Sequence, residues 1–251
     1  MLDGVTSFVD LLKIGPAVEP PPPEPSPDGI ECPKCGNKGY LVTKGEGLEL
    51  TVRPCECMEK RRSLRILKES GLSDLVSRST FKAFQTPDEW TRKCKETAWD
   101  YVKNGRGKWL YISGRPGTGK THICVAVCRQ LIAKGASTRY MMWRQDAPRL
   151  KALVKDAEAY TAALDEYIKP HVLYIDDFFK QRGDPSDADV NLAFTILNAR
   201  YNSNSKRTII SSELPLKTVR DLDEATASRI YEKSRGYILN APPTAINWRE
   251  K

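Results

Sequence analysis

The chain has 251 residues and a formal net charge of +8, with 40% hydrophobic and 29% charged residues. This composition is ordinary for a soluble protein with one main domain and a small appendage, and the positive charge favours anionic partners such as nucleotides or nucleic acid. No apolar run reaches the length of a membrane span and no signal peptide is recognisable, so we expect a cytoplasmic chain without membrane contact.

The first 29 residues are predicted to precede the folded part of the chain. Residues 1–15 carry four apolar residues at helical spacing, which fits a partner-docking segment and fits a frayed tail equally well. Residues 16–29 are rich in proline, and this composition predicts an extended linker.

Residues 30–72 contain clustered cysteines followed by a basic helix, which is expected over 58–70. One pair has the C-x-x-C-G spacing of a zinc knuckle, and a C-x-C pair follows it. The four residues are Cys32, Cys35, Cys55 and Cys57. Both histidines of the chain lie much farther along, so four thiolates are the simplest ligand set for one structural Zn²⁺. A reduced cluster without metal is the alternative.

From residue 80 to residue 251 the pattern changes to short apolar runs that alternate with helical stretches. Such alternation is typical of a parallel sheet covered by helices on both faces. The runs are 109–113, 139–143, 172–175, 208–211 and 237–239. We therefore predict an α/β domain built on a parallel five-stranded sheet.

A phosphate-binding loop follows the first of these runs. It matches G-x-x-x-x-G-K-[ST] in full, between a predicted strand and a helix expected over 120–134. The loop consists of Gly114, Arg115, Pro116, Gly117, Thr118, Gly119, Lys120 and Thr121. Its glycines let backbone N–H groups surround phosphates at the helix N-terminus, Lys120 reaches the β- and γ-phosphates, and Thr121 is a ligand of Mg²⁺. The loop predicts a site for ATP and magnesium.

Two carboxylates follow the apolar run at 172–175. This arrangement, known as Walker B, places Asp176 beside the phosphate loop, where it holds magnesium through water. Asp177 is then positioned to orient and polarise the attacking water. A turn or a helix cap is a weaker explanation for the two carboxylates. The apolar run before them is of the kind found in buried strands, and it lies downstream of a phosphate loop.

The segments GRPGTGKT, LYIDDF, TIISSELP and SRIYE together resemble the DnaC/DnaI-like helicase loaders and their IstB-like relatives, over about residues 30–247. The resemblance implies an AAA+ fold without a C-terminal lid domain, and ATP hydrolysis with self-assembly. It also implies two partners, a replicative DNA helicase and single-stranded DNA.

The resemblance also assigns residues near the γ-phosphate. The family usually has an asparagine as a polar sensor after the next strand, whereas this chain has Glu213, preceded by Ser212 as a substitute. A carboxylate donates to a phosphate only when it is protonated. Arg229 matches the arginine finger that acts on the nucleotide of a neighbouring subunit. Arg235 is the second candidate for this role.

Residues 143–171 resemble the family element that lines a path for single-stranded DNA. We expect two helices here, the first capped near Asp146 with Pro148 at its start. Lys151 and Lys155 are four residues apart and are expected to share a face, close to Arg144 and Arg149, although a solvated basic face is equally consistent.

The leading hypothesis for function is an ATP-controlled loader of a replicative helicase. An IstB-like transposition helper shares the same ATPase motifs. A zinc-containing nucleic-acid adaptor with weak ATPase activity is suggested by Glu213 alone. A small-molecule kinase is disfavoured because no acceptor pocket or arginine-rich lid is recognisable.

Overall fold

The computed structural model describes residues 29–44, 50–68, 77–181 and 183–250. The chain divides into two units, Met1–Cys55 and Glu56–Lys251. The predicted docking segment, and the linker apart from residue 29, lie outside the described residues. Among the helices of the described ranges, none has both the length and the apolar character required to cross a membrane.

The described part of the first unit is a cysteine-bearing turn followed by a β-hairpin. Strands β1 (Tyr40–Lys44) and β2 (Leu50–Pro54) pair antiparallel, with Val42 opposite Val52. In the turn, the side chain of Asn37 accepts the N–H of Cys32 at 2.8 Å. This contact closes the loop that carries Cys32 and Cys35.

The second unit alternates helices and strands along the chain. Its strands are β3 (Trp109–Ser113), β4 (Thr138–Met142), β5 (Val172–Phe178), β6 (Arg207–Ser212) and β7 (Ile238–Asn240). Its helices are α1 (Cys57–Leu67), α2 (Glu89–Asn104), α3 (Lys120–Ala133), α4 (Trp143–Ala152), α5 (Ala157–Ile168), α6 (Asp187–Tyr201), α7 (Leu216–Leu222) and α8 (Glu224–Lys233).

The five strands form one parallel sheet in the order β4-β5-β6-β3-β7. Neighbouring strand residues point to opposite faces, so Leu110 and Ile112 pack under α2 and α3, whereas Trp109 and Tyr111 pack with helices α4 to α8. Helices therefore cover both faces. The predicted α/β class and the parallel five-stranded sheet are confirmed.

Helix α1 belongs to the second unit by its contacts. The hydroxyl of Ser63 accepts the N–H of Thr138 at the start of β4, at 3.1 Å, and Leu67 is fully buried in the core beside α3. The sequence analysis grouped this helix with the cysteines in residues 30–72. Hydrophobic burial and a buried hydrogen bond join α1 to the sheet domain, and the boundary of the cysteine-bearing module at residue 72 stays a prediction.

A buried arginine fixes the start of β5. Arg200 of α6 is fully buried and has no acidic partner among the described residues; instead its guanidinium donates to backbone carbonyls around the end of α5 and the starts of β5 and β6. The accepting carbonyls belong to Tyr167, Ile168, Pro170, His171 and Arg207. A guanidinium offers five N–H donors, so one side chain satisfies a set of carbonyls that would otherwise be costly to bury.

Candidate functional site

A cavity of about 780 Å³ opens at the carboxyl ends of the strands, where parallel α/β sheets bind ligands. The phosphate loop forms its floor, and the ends of β4, β5 and β6 supply Met142, two aspartates and Glu213. Segments around residues 78–85 and 248–249 form the remaining walls. The predicted loop and the predicted Walker B carboxylates therefore share one cavity.

The phosphate loop needs glycine at two positions in particular. Gly117 and Gly119 have φ values of 80° and 87°, in the left-handed region that other residues seldom adopt. A Cβ on Gly117 would lie 1.7 Å from the Oδ1 atom of Asn247. The backbone can therefore approach the segment near Trp248, whose N–H donates to the carbonyl of Gly117 at 2.9 Å.

Lys120 lies folded against the loop that precedes it. Its Nζ donates to the carbonyls of Gly114 and Arg115 at 2.7 and 2.9 Å. Burial lowers the pKa of Lys120, whereas the carboxylates of Glu213 and Asp177 act in the opposite direction. The ammonium is thus held at the first turn of α3, where a helix N-terminus also favours anions.

The carboxylate of Asp176 is the most heavily bonded group in the cavity. It is 6% exposed and accepts hydrogen bonds from hydroxyl groups on β4, β5, β6 and α3. The donors are Tyr174 at 2.7 Å, Tyr140 at 3.0 Å, Thr121 at 3.2 Å and Ser211. Thr121 and Asp176, the two predicted magnesium ligands, are therefore in direct contact.

The two tyrosines that hold Asp176 act as permanent donors. Burial, followed by the charge of Asp176, raises the pKa of Tyr140 and also that of Tyr174. Both hydroxyls consequently keep their protons at neutral pH. They orient the carboxylate so that a bound cation meets a fixed pair of oxygens.

Asp177 adopts an unusual backbone conformation. Its φ is 52°, and the pairing of β5 with β6 is irregular between Ile175 and Phe178. Consecutive residues of a regular strand point to opposite faces, and a bulge changes that direction. The irregularity lets Asp176 and Asp177 line the same cavity. Burial, followed by the charge of Asp176, raises the pKa of Asp177, whereas Lys180 acts to lower it.

The sensor position differs from the expected arrangement. The hydroxyl of Ser212 is fully buried and donates to the carbonyl of Phe178 at 2.8 Å, so Ser212 is engaged inside the fold rather than in the cavity wall. Glu213 lines the cavity instead. Lys180 lies 2.6 Å from Oε1 of Glu213 and 3.3 Å from Oδ2 of Asp177.

One wall of the cavity is aromatic. The rings of Phe84 and His122 meet edge to face, with centroids 5.4 Å apart, and the ring of Trp248 lies near Gly119. Flat rings of this kind suit a purine base, and they lie beside Gly119 of the phosphate loop. The cavity can therefore hold a base and a triphosphate together.

The four clustered cysteines form a compact set. Their sulfur atoms all lie within 4.8 Å of one another, and those of Cys32 and Cys55 are 3.7 Å apart. Two sulfurs at tetrahedral corners around Zn²⁺ would be separated by about 3.8 Å, given Zn–S bonds of about 2.3 Å. The N–H of Gly39 donates to the sulfur of Cys35 at 3.3 Å, a contact that stabilises a thiolate. The donor set fits a closed structural zinc site.

The two predicted finger arginines lie outside the described cavity wall. In α8, Nε of Arg229 donates to Asn198 at 3.0 Å, and the guanidinium lies 4.7 Å from the ring centroid of Phe194. Arg235 is exposed, with its guanidinium 6.0 Å from the ring centroid of Tyr231. Neither residue lines the cavity of its own chain, and the finger role stays a prediction.

The predicted basic surface on the insertion needs correction. Helix α4 begins at Trp143, so Pro148 lies inside the helix and not at its start. Its N-cap is Met142, and Asp146 lies in the first turn, where its carboxylate accepts the N–H of Met142 at 2.9 Å. The helix ends at Ala152, so Lys155 lies beyond it and does not share a helical face with Lys151.

The basic residues of this insertion differ in exposure. Lys151 forms a 2.6 Å ion pair with Asp189 of α6, a residue only 2% exposed, so its charge is used within the fold. Arg144, Arg149 and Lys155 are exposed. These three remain the available cations of the predicted DNA-contact set.

Sequence reasoning missed several residues of the site. Tyr174 precedes Asp176 by two residues, and strand alternation alone places both on one face, so a signal existed. Tyr140 and Ser211 come from neighbouring strands, and only the register of the sheet reveals them. Lys180 follows β5 outside any regular element, where no periodicity predicts its direction.

Comparison with known sequences decides the family. Residues 49–230 match the family described as IstB-like ATP binding protein. The chain belongs to this family. This is an ATP-binding family of the AAA+ type. The geometry of the cavity agrees with ATP binding.

Two relatives of this IstB-like protein come from Bacillus subtilis (strain 168). Protein XkdC of the phage-like element PBSX is 30% identical over 249 residues, covering 94% of this chain and 92% of XkdC. Protein YqaM is 34% identical over 200 residues, covering 74% of this chain but only 62% of YqaM. The chain thus matches XkdC over nearly all of its length.

A solved structure of the DnaC helicase loader shares the fold of this IstB-like protein. It superposes with a TM-score of 0.57 at 26% identity, covering 65% of this chain and 97% of the loader chain. The predicted resemblance to IstB-like proteins and DnaC-type loaders is confirmed, together with the predicted AAA+ type of α/β fold.

We predict that Asp177→Asn keeps nucleotide binding and lowers kcat for ATP hydrolysis by about 100-fold or more, because the variant loses the carboxylate that orients and polarises the attacking water. Lys120→Ala should lose binding itself. Calorimetric titration and phosphate release measure the two effects. Asp165→Asn, on an exposed carboxylate paired with Lys169, is the matched control and should behave as the parent. Parental turnover by Asp177→Asn would contradict the assignment.

We also predict one tightly bound zinc per chain. Metal analysis of the purified protein should find it, and Cys35→Ser should remove most of it because three thiolates bind more weakly than four. Cys94→Ala changes a buried thiol in the core beside α3 and should retain the metal. A folded parent protein without zinc would refute the assignment.

Proposed function

We propose that this IstB-like protein is a Mg-ATP-dependent loader that places a replicative DNA helicase on single-stranded DNA. The observation that supports the proposal is that Lys120, Thr121, Asp176 and Asp177 line one cavity, on a fold that covers 97% of a DnaC helicase loader chain. Each part of the proposal rests on a separate feature.

In the proposed ATPase reaction, each of these four residues has a separate role. Lys120 would contact the β- and γ-phosphates, and Thr121 and Asp176 would hold Mg²⁺. Asp177 orients the attacking water, since its bent backbone directs the carboxylate into the cavity. The Phe84 and His122 wall receives the base. Magnesium supplies charge neutralisation for the leaving phosphate when it is bound.

The helicase part rests on similarity. The solved relative named DnaC helicase loader acts on a helicase according to its name, and the present chain shares its fold at 26% identity. XkdC belongs to a phage-like element, which places a near full-length relative in a phage setting. A phage-type protein that recruits the host helicase fits both the similarity to the DnaC loader and the similarity to XkdC.

Contact with single-stranded DNA is assigned to exposed cations of the insertion between β4 and β5. Arg144, Arg149 and Lys155 are exposed on and just beyond α4, and the chain carries a net charge of +8. Such cations bind the phosphate backbone without reading sequence, so the binding should weaken as salt concentration rises.

Self-assembly is assigned to the region of α8. Arg235 is more exposed than Arg229, whose guanidinium is bonded to Asn198 within the same chain. An arginine that acts on the ATP of a neighbouring subunit must leave its own chain's contacts, so Arg229 would have to exchange its hydrogen bond to Asn198 for the phosphate.

A transposition helper is the second candidate function. The family that matches residues 49–230 carries the IstB name, and the ATPase geometry serves either task equally. The two candidates differ in partner protein, because a loader associates with a helicase and a transposition helper associates with a transposase.

The test mixes the full chain with the replicative helicase of its host, with and without ATP. We predict a stable complex by size-exclusion chromatography with light scattering. We also predict that the helicase unwinds a substrate on closed circular single-stranded DNA, coated with binding protein, only when the chain and ATP are present. Lys120→Ala should form the complex and fail to support unwinding.

Failure to co-elute with the helicase, together with no stimulation of unwinding, would refute the loader. Co-elution with a transposase under the same conditions would support the transposition helper instead. Normal ATP hydrolysis in either outcome would support the ATPase assignment, whichever partner protein is bound.

A further inference from the structure

A carboxylate stands where the cavity would receive the γ-phosphate. Glu213 follows β6 and lines the cavity together with Asp177. Phosphate and carboxylate are both anions, so an uncompensated Glu213 would oppose the binding of a triphosphate. The site therefore needs a cation beside Glu213.

Lys180 supplies that cation. Its Nζ lies 2.6 Å from Oε1 of Glu213 and 3.3 Å from Oδ2 of Asp177, and its side chain is 30% exposed towards the cavity that it lines. Oε1 of Glu213 is shielded from solvent and accepts no directed hydrogen bond, so the attraction between Lys180 and Glu213 is an ion-pair contact.

The ammonium of Lys180 has donor capacity to spare. It carries three N–H bonds and no acceptor, and within the described part of the chain it contacts two carboxylates, those of Asp177 and Glu213. One N–H is therefore available for a phosphate oxygen. Burial alone would lower the pKa of Lys180, but the contacts with Glu213 and Asp177 outweigh it and raise that pKa, so the side chain is charged at neutral pH.

Charge balance favours the same role. Three carboxylates line the cavity, those of Asp176, Asp177 and Glu213, and its cationic lining residues are Arg78, Lys120, Lys180 and Arg249. Lys120 is held by the phosphate loop, and Mg²⁺ is the natural partner of Asp176. Among the described residues, Lys180 is the cation paired with both Asp177 and Glu213, which places it at the wall where a γ-phosphate would lie.

We propose that Lys180, held in place by Glu213, contacts the γ-phosphate in addition to Lys120 and lets this protein distinguish ATP from ADP. The Lys180–Glu213 pair replaces the neutral polar sensor that the family resemblance leads one to expect at this position. Glu213 contributes by orienting the ammonium, and Lys180 contributes the donor. This inference rests on the proposed ATPase function of the same cavity.

The test compares the affinities of Lys180 variants for ATP and for ADP, measured by calorimetry on the full chain with Mg²⁺. Lys180→Met should weaken ATP binding roughly tenfold or more, the effect of one charge-assisted hydrogen bond, while ADP binding stays close to the parental value. Unchanged ADP binding also shows that the variant is folded. Lys180→Arg should retain most of the preference for ATP.

Two further variants sharpen the result. Lys217→Met removes an exposed lysine of α7 and should leave both affinities unchanged. Adding Glu213→Gln to Lys180→Met should recover part of the ATP affinity, because it removes the carboxylate that the first change left uncompensated. A purely structural ion pair would show no such recovery and no difference between ATP and ADP.

Several outcomes would overturn the inference. Equal losses of ATP and ADP affinity would mean that Lys180 supports the fold, and parental affinities would mean that it is not used. Faster hydrolysis by Lys180→Met would mean that the lysine restrains Asp177. A parent chain that binds ADP but shows no preference for ATP refutes the inference alone, whereas a parent chain that binds neither nucleotide refutes the proposed function as well.

Discussion

The buried carboxylate of Asp176 accepts hydrogen bonds from four elements of the sheet domain. A carboxylate in a nearly closed site is costly unless hydrogen bonds replace its water. Here hydroxyl groups from α3, β4, β5 and β6 do so, through Thr121, Tyr140, Tyr174 and Ser211. Because each donor comes from a different element, the position of the phosphate loop relative to the strand ends depends on this one side chain.

That constraint organises the catalytic wall. With Asp176 fixed, the chain bends at Asp177, whose φ of 52° directs the second carboxylate into the cavity. Aspartate tolerates this conformation better than most residues, and strain of this kind is common at functional sites. Lys180 then lies within reach of Asp177 and Glu213, so the site carries its own compensating charge. The unexpected glutamate is consistent with a working ATPase once this lysine is included.

The sequence predicted the features that depend on local pattern. The phosphate loop, the strand at 109–113 and the start of α3 at Lys120 follow from motif and periodicity, and the structure has them where expected. The features that it missed depend on tertiary contacts. Helix α4 begins at Trp143, five residues before Pro148, so the cap predicted near Asp146 was placed too late in the chain. Lys151 is paired with Asp189, 38 residues away, and no sequence pattern indicates that pairing.

A crystal structure of the full chain with Mg²⁺ and a non-hydrolysable ATP analogue tests the central claim most directly. The account predicts the triphosphate against the phosphate loop, magnesium between Thr121 and Asp176, and the base against the ring of Phe84. It also predicts that Nζ of Lys180 lies within hydrogen-bond distance of a γ-phosphate oxygen. A nucleotide bound elsewhere, or a γ-phosphate directed away from both Asp177 and Lys180, would contradict it.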